Sequence, residues 1–173
     1  LFFFLICLKL KELGFTELID IGSGDGRIPY CGELLGLRST GIELDTSLTE
    51  LQKDLCTRTE IKFKIINDDA SNYDFSKLEL SKPFFLVSGL AEMGEMFVNN
   101  VIQTILQNKF ESSGIVLLGS TIKRKFASDV SFYGWGNVIK KYNLQIIDEI
   151  NLPTHWTNDN NTETKYIITQ LLK

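Results

Sequence analysis

The sequence predicts an α/β fold: a mostly parallel sheet of seven strands, the last of them antiparallel, with helices on both faces. Three observations predict it. Short apolar runs, of the kind that form strands buried on both sides, alternate with segments of helical periodicity. The first run ends in a glycine-rich turn, Gly22-Ser23-Gly24-Asp25-Gly26, that opens a helix. The last two runs follow one another with no helical segment between them, as expected of a closing antiparallel pair.

Taken in order, residues 1–14 read as an N-terminal helix. Phe4, Leu5, Leu8 and Leu13 have roughly helical spacing and Gly14 supplies a stop. The opening segment LFFFLICL is too short to span a bilayer, and its alternative reading is the tail of a membrane anchor or signal segment. The chain starts at Leu1 and not at Met, which allows for residues upstream. Leu18 to Ile21 form the first strand with Asp20 near its end, and Thr40 to Leu44 the second with Glu43 near its carboxyl end. Thr46 to Cys56 read as a helix with Leu48, Leu51 and Leu55 on one face and Ser47-x-x-Glu50 as a capping box. Ile61 to Ile66 are the third strand, and Pro83 punctuates the chain before the fourth, Phe84 to Ser88. A helix over Val98 to Phe110 carries Val101, Ile102, Ile105 and Leu106, and Gly114 to Gly119 form the fifth strand. Phe132 to Tyr142 are helical in part, with Gly134 and Gly136 pointing to a loop at the start. Leu144 to Ile150 and Lys165 to Leu172 complete the sheet across a polar stretch, Thr154 to Thr164. With no repeat and no long linker, residues 1–173 are expected to form one domain.

Composition narrows the function classes. Net charge is −4 and the isoelectric point about 5.1, so no global basic field points to nucleic acid. The one basic cluster, Lys123-Arg124-Lys125, reads as a solvated loop. Cys7, Cys31 and Cys56 with a single histidine make neither a zinc site nor a disulfide framework, and a reducing cytoplasm fits them.

The chemistry-bearing residues gather between the first two strands. In open α/β sheets ligands bind at the carboxyl ends of the strands, and an acid on the second strand is placed to hold ribose hydroxyls. Asp20, Gly22, Gly24, Gly26 and Glu43 therefore point to a nucleoside-containing ligand. A dinucleotide fingerprint reads G-x-G-x-x-G, so that the pyrophosphate approaches the helix N-terminus. Here the third glycine comes one residue early and Arg27 follows it. An acid two residues before the first glycine suits an ammonium and a sulfonium better than a pyrophosphate.

The D-x-G-x-G-x-G run with an acid at the next strand end resembles motifs I and II of the class I S-adenosylmethionine-dependent methyltransferases, whose Rossmann-like sheet has the layout read above. The resemblance implies S-adenosyl-L-methionine as cofactor. It places Asp20 and the loop of Gly22, Ser23, Gly24 and Gly26 at the methionyl end, Glu43 on the ribose and Leu44 beside the adenine ring. Arg27 would pair with a carboxylate or cap the first helix. In Asn67-Asp68-Asp69-Ala70, Asp69 takes the adenine amino group and Ala70 gives backbone contacts; Asp68 is the alternative acid, and a plain Asx turn the bland reading. Ser88, ending the fourth strand, adjoins both cofactor and acceptor.

The segment Val87-Ser88-Gly89-Leu90-Ala91-Glu92-Met93 lacks the [N/D]-P-P-[Y/F] motif with which nucleic-acid amino-methyltransferases hold a base. IDIGSGDGR, GIELD, FFLVSGLAEM and PTHWTNDNNTETKYIITQLL together resemble small seven-strand protein-lysine methyltransferases of archaeal chromatin-protein and mitochondrial type, with Pro153, His155 and Trp156 in their late aromatic segment. That resemblance implies methylation of protein lysine side chains, with a lysine-bearing protein as partner, no nucleic acid, no membrane unless an anchor lies upstream, and a monomer. Catalytic candidates are Ser88, Glu92 and Trp156, with Tyr133 as a further contact and His155 read as exposed. No metal is expected. The alternatives are a small-molecule or RNA methyltransferase of the same fold, and a noncatalytic cofactor-binding regulatory protein.

Overall fold

The computed structural model describes residues 2–87, 95–108, 110–118, 135–153 and 163–171. The strands are β1 (Glu17–Ile21), β2 (Arg38–Glu43), β3 (Lys64–Asn67), β4 (Pro83–Val87), β5 (Gly114–Leu118), β6 (Leu144–Pro153) and β7 (Glu163–Leu171). The helices are α1 (Phe2–Glu12), α2 (Arg27–Leu34), α3 (Thr46–Thr59), α4 (Glu95–Leu106) and α5 (Trp135–Lys141), with a 3₁₀ turn over Phe75–Leu78.

The strands form one sheet in the order β3-β2-β1-β4-β5-β7-β6. Neighbours from β3 through β5 pair in parallel, while β7 runs against both β5 and β6, as the sequence predicts. β1 and β4 are buried at every position, the pattern of central strands covered on both faces. Pro83 occupies the first position of β4, where a missing N–H costs least.

Two cores flank the sheet. On one face Leu18, Phe84, Leu86, Val116 and Ile168 meet Ile6, Cys7 and Leu10 of α1 and Ile28 of α2. On the other, Ile19, Ile21, Phe85, Val87, Ile115 and Ile167 meet Val101, Ile102 and Ile105 of α4 and Val138 of α5.

Several elements depart from the sequence reading for identifiable reasons. α1 buries Ile6, Cys7 and Leu10, with Phe3 packed alongside, and not the predicted stripe: Leu5, Leu8 and Leu13 are exposed. The first eight residues are all apolar, so no polar face fixes the helix's rotation, and contact with the sheet decides it. α3 runs on to Thr59 and ends at Glu60, whose φ is 60°. Its cap is Asp45, whose Oδ1 accepts from the Ser47 N–H at 2.7 Å, and not a Ser47–Glu50 box. Its buried residues are Thr49 and Gln52, while Leu51 is exposed, because α3 faces the polar glycine turn. β3 starts three residues later than predicted, at Lys64. α4 starts before Val98 and stops at Leu106, where the Asn108 side chain donates to the Thr104 carbonyl at 2.9 Å. Gly136 lies within α5. β6 extends to Pro153, with a register irregularity between Ile146 and Asp148. Among the described residues no helix is long and apolar enough to cross a membrane.

Candidate cofactor site at the carboxyl edge of the sheet

β1, β2 and β3 end side by side. Parallel register sets Asp20 against Gly41, Ile21 against Ile42 and Glu43 against Asn67. The chain leaves β1 through residues 22–26, and the N–H groups of Gly22 and Ser23 both donate to the Ile42 carbonyl, at 2.9 and 3.1 Å. The loop thus hangs from β2. Its three glycines have φ of 70°, 56° and 84° at positions 22, 24 and 26. Gly26 is constrained twice: beyond its left-handed backbone, a Cβ there would stand 2.8 Å from both Gln52 Cγ and Phe63 Cζ.

Glu43, at the end of β2, ties the loop to the start of α3. Its Oε2 accepts from the Gly24 N–H at 2.8 Å and its Oε1 from the Asp45 N–H at 2.9 Å. Each carboxylate oxygen keeps a second lone pair for a ligand hydroxyl. Asn67 braces the same edge from β3: its amide donates to the carbonyls of Glu43 and Leu44, both at 2.9 Å, and its Oδ1 accepts from the Thr46 hydroxyl at 3.0 Å.

Asp20 lies beneath this loop. It is 0 % exposed, and among the described residues neither carboxylate oxygen has a hydrogen-bond partner. Burial pushes its carboxyl well above the usual carboxylate range, and the charges of Glu43 and Asp25 push the same way. Native proteins rarely bury an acid without partners, so this group calls for an explanation.

The other predicted residues occupy varied settings. Ser23 is buried and its Oγ accepts from Gln52 Nε2 at 2.9 Å. Arg27 opens α2 with an exposed side chain, bound through Nε to the Asp25 carboxylate at 2.8 Å. Leu44 is 69 % exposed at the rim, a large apolar surface beside the loop. Asp69 forms an Asx turn, with Oδ1 accepting from the Ser71 N–H at 2.9 Å and Oδ2 from the Asn72 amide at 3.0 Å; these bonds hold its carboxyl below the usual range. Asp68 Oδ1 accepts from the Asp69 N–H, and Ala70 is buried in the α4-side core. Ser88, Glu92, Tyr133, His155 and Trp156 lie outside the described residues.

Sequence reasoning missed Gln52. This fully buried side chain donates to Ser23 Oγ and, at 2.8 Å, to the Gly24 carbonyl, fixing the glycine loop from α3. It also missed Gly41, where a Cβ would stand 2.7 Å from Ser23 Oγ and 3.0 Å from Gln52 Oε1. A glycine inside a strand signals such an approach of neighbouring atoms. A polar cleft of about 530 Å³ opens farther along, lined by Ser71, Asn72, Asp74, Thr104 and Asn108 among others, and includes none of the predicted site residues. Among the described residues no cluster of side chains is arranged to hold a metal ion.

The edge therefore offers a left-handed glycine loop, a carboxylate with spare acceptor capacity and a buried acid with no partner among the described residues. That combination fits a ligand carrying both hydroxyls and positive charge. No protein-family model and no curated protein sequence matches the chain. Solved structures do match it. Magnesium protoporphyrin IX methyltransferase from Synechocystis PCC 6803, with bound SAM, superposes with a TM-score of 0.70 at 9 % identity, over 96 % of this chain and 75 % of that one. The glycopeptide N-methyltransferase MtfA, complexed with S-adenosyl-L-homocysteine, gives 0.67 at 10 % identity over 96 % and 89 %. The tRNA (uracil-54, C5)-methyltransferase of Pyrococcus abyssi, also with S-adenosyl-L-homocysteine, gives 0.66 at 10 % identity over 96 % of this chain but 37 % of that one. With its strand order, its single reversed strand and its glycine turn between the first strand and helix, the chain has the Rossmann-like fold of the class I S-adenosylmethionine-dependent methyltransferases.

Proposed function

We propose that this chain is a methyltransferase that binds S-adenosylmethionine at the β1–α2 loop and methylates lysine side chains of proteins. The observation that carries the cofactor reading is Asp20, buried and unpartnered beneath a left-handed glycine loop, with Glu43 at the adjoining strand end. When bound, the cofactor supplies a methyl group on a positively charged sulfur. Asp20 and residues Gly22, Ser23, Gly24 and Gly26 surround the methionyl end. Glu43 accepts from the ribose hydroxyls with the lone pairs its two amide bonds leave over. Leu44 covers the adenine ring, Asp69 and the backbone at Ala70 receive its amino edge, and Arg27, released from Asp25, pairs with the carboxylate. Ser88, Glu92 and Trp156 orient the acceptor.

The lysine reading is supported by the acidic charge balance, which attracts basic segments and repels phosphates, and by the missing [N/D]-P-P-[Y/F] motif. The residues at Pro153, His155 and Trp156 resemble the late segment of lysine methyltransferases. The acceptor amine must be neutral to attack, so the rate should climb toward alkaline pH, since free lysine titrates near 10.4. The chain is proposed to act as a single-domain monomer in a reducing cytoplasm.

Two measurements test this. Calorimetry should show binding of S-adenosylhomocysteine and none of NADH, with affinity about tenfold or more weaker in Glu43→Ala, as expected for a lost charged acceptor. Labelled methyl from S-adenosylmethionine should appear in lysines of basic chromatin proteins. Label found in RNA or small metabolites while lysines stay bare would overturn the acceptor and leave the cofactor standing.

A further inference from the structure

Asp20 is buried on the sheet face covered by α1, α2 and α3, and among the described residues no element around it supplies a cation. From α1 the group within its electrostatic reach is the thiol of Cys7, which burial pushes far above the neutral range and which therefore carries no charge. Cys31 of α2 stands by Cys7, its thiol raised by the same cause. Arg27, also on α2, is tied to Asp25 at 2.8 Å. β2 contributes the acid Glu43, the loop contributes the acid Asp25, and the neighbour across β4 is Leu86. α3 contributes Gln52, whose amide is already spent on Ser23 and Gly24. An ionised carboxylate in such a place has no solvent and, among the described residues, neither a donor nor a counter-charge, and it neutralises instead.

We propose that Asp20 holds its proton while the site is free and surrenders it to solvent when a cationic ligand enters, so that cofactor binding releases a proton and tightens as pH rises. The carboxyl O–H bond breaks, its electron pair stays on Asp20, and the carboxylate then compensates the ligand's ammonium. This rests on the S-adenosylmethionine reading above and gives that site a built-in pH response.

The test is calorimetry of the whole chain with S-adenosylhomocysteine, which keeps the methionyl ammonium, in two buffers of different ionisation enthalpy. About one proton released per ligand is expected at mildly acidic pH, with affinity rising up to about tenfold per pH unit until free Asp20 ionises. 5′-Methylthioadenosine, which lacks the ammonium, should release none, and Asp20→Asn should abolish the release by S-adenosylhomocysteine. Binding heats that agree between the two buffers across about pH 5 to 8 would overturn the proton coupling and leave the cofactor assignment intact. Equal release by 5′-methylthioadenosine, or release that survives in Asp20→Asn, would overturn it as well. Failure of S-adenosylhomocysteine to bind at all would overturn the proposed function itself. The wild-type comparison decides alone if the variant does not fold.

Discussion

β1 carries an acid at each end, and the two live in opposite circumstances. Glu17 is buried and fully satisfied: Oε1 accepts from Arg38 Nη2 at 2.8 Å and the Ser81 N–H at 3.4 Å, and Oε2 from the Thr16 hydroxyl at 2.6 Å and the Lys82 N–H at 2.9 Å. Asp20, three residues along the same strand, is as deeply buried and has no partner among the described residues. Glu17 sits at the edge where strands begin, and its donors come from β1's approach, β2 and the turn before β4, so it joins three segments of chain. Asp20 sits at the edge where ligands enter α/β sheets. A buried acid met by donors is a fastening, and one left without them is a place kept for something else.

The contrast can be broken from either end. The largest effect should follow Glu17→Ala, which strands the backbone N–H groups of Ser81 and Lys82. A loss of about 3 kcal/mol is expected in urea unfolding, with the affinity of the folded fraction for S-adenosylhomocysteine unchanged. A comparable loss of affinity at unchanged stability would reverse the roles of the two ends.

Asp20→Asn should act in the opposite direction. The native carboxyl titrates above its unfolded counterpart, so the folded state binds the proton more tightly. Stability from this group is therefore full below the ordinary carboxylate range and falls as pH rises toward the raised native value. Asparagine removes that fall. At neutral pH the ligand-free variant should be more stable than the wild type, with a flatter pH dependence of melting temperature. A less stable variant at neutral pH would mean that the carboxylate has a partner in solution.

The smallest effect belongs to Arg38→Ala. Its side chain is 59 % exposed, and Glu17 keeps three other donors. A loss of about 0.5–1 kcal/mol is expected, reduced further in high salt.

Much of this was legible in sequence. Strand count, the closing antiparallel pair and the glycine turn follow from local patterning, because buried strands need unbroken apolar runs and left-handed backbone needs glycine. The positions of Asp20 and Glu43 near strand ends were legible for the same reason. The face of α1 was not, since an all-apolar helix carries no periodic signal. Nor was the role of α3. Its leucines suggested an apolar stripe, yet Thr49 and Gln52 turn inward, and Gln52 meets the polar backbone of the glycine loop. Asp69 was readable both as a ligand acid and as an Asx turn, and the turn's bonds to Ser71 and Asn72 depend on the folded loop.

By itself, then, the sequence determined the α/β class, the layout of the sheet and the address of the candidate site, all of which rest on short-range periodicity and on residues with special backbone freedom. Only the tertiary structure decided which acids are satisfied. Glu17 and Asp20 are both acids of one short buried strand, and of Glu17's donors only the Thr16 hydroxyl is local. What separates them is the company that long-range packing brings: Arg38, Ser81 and Lys82 arrive from 21, 64 and 65 residues away to meet Glu17, and among the described residues no donor arrives for Asp20.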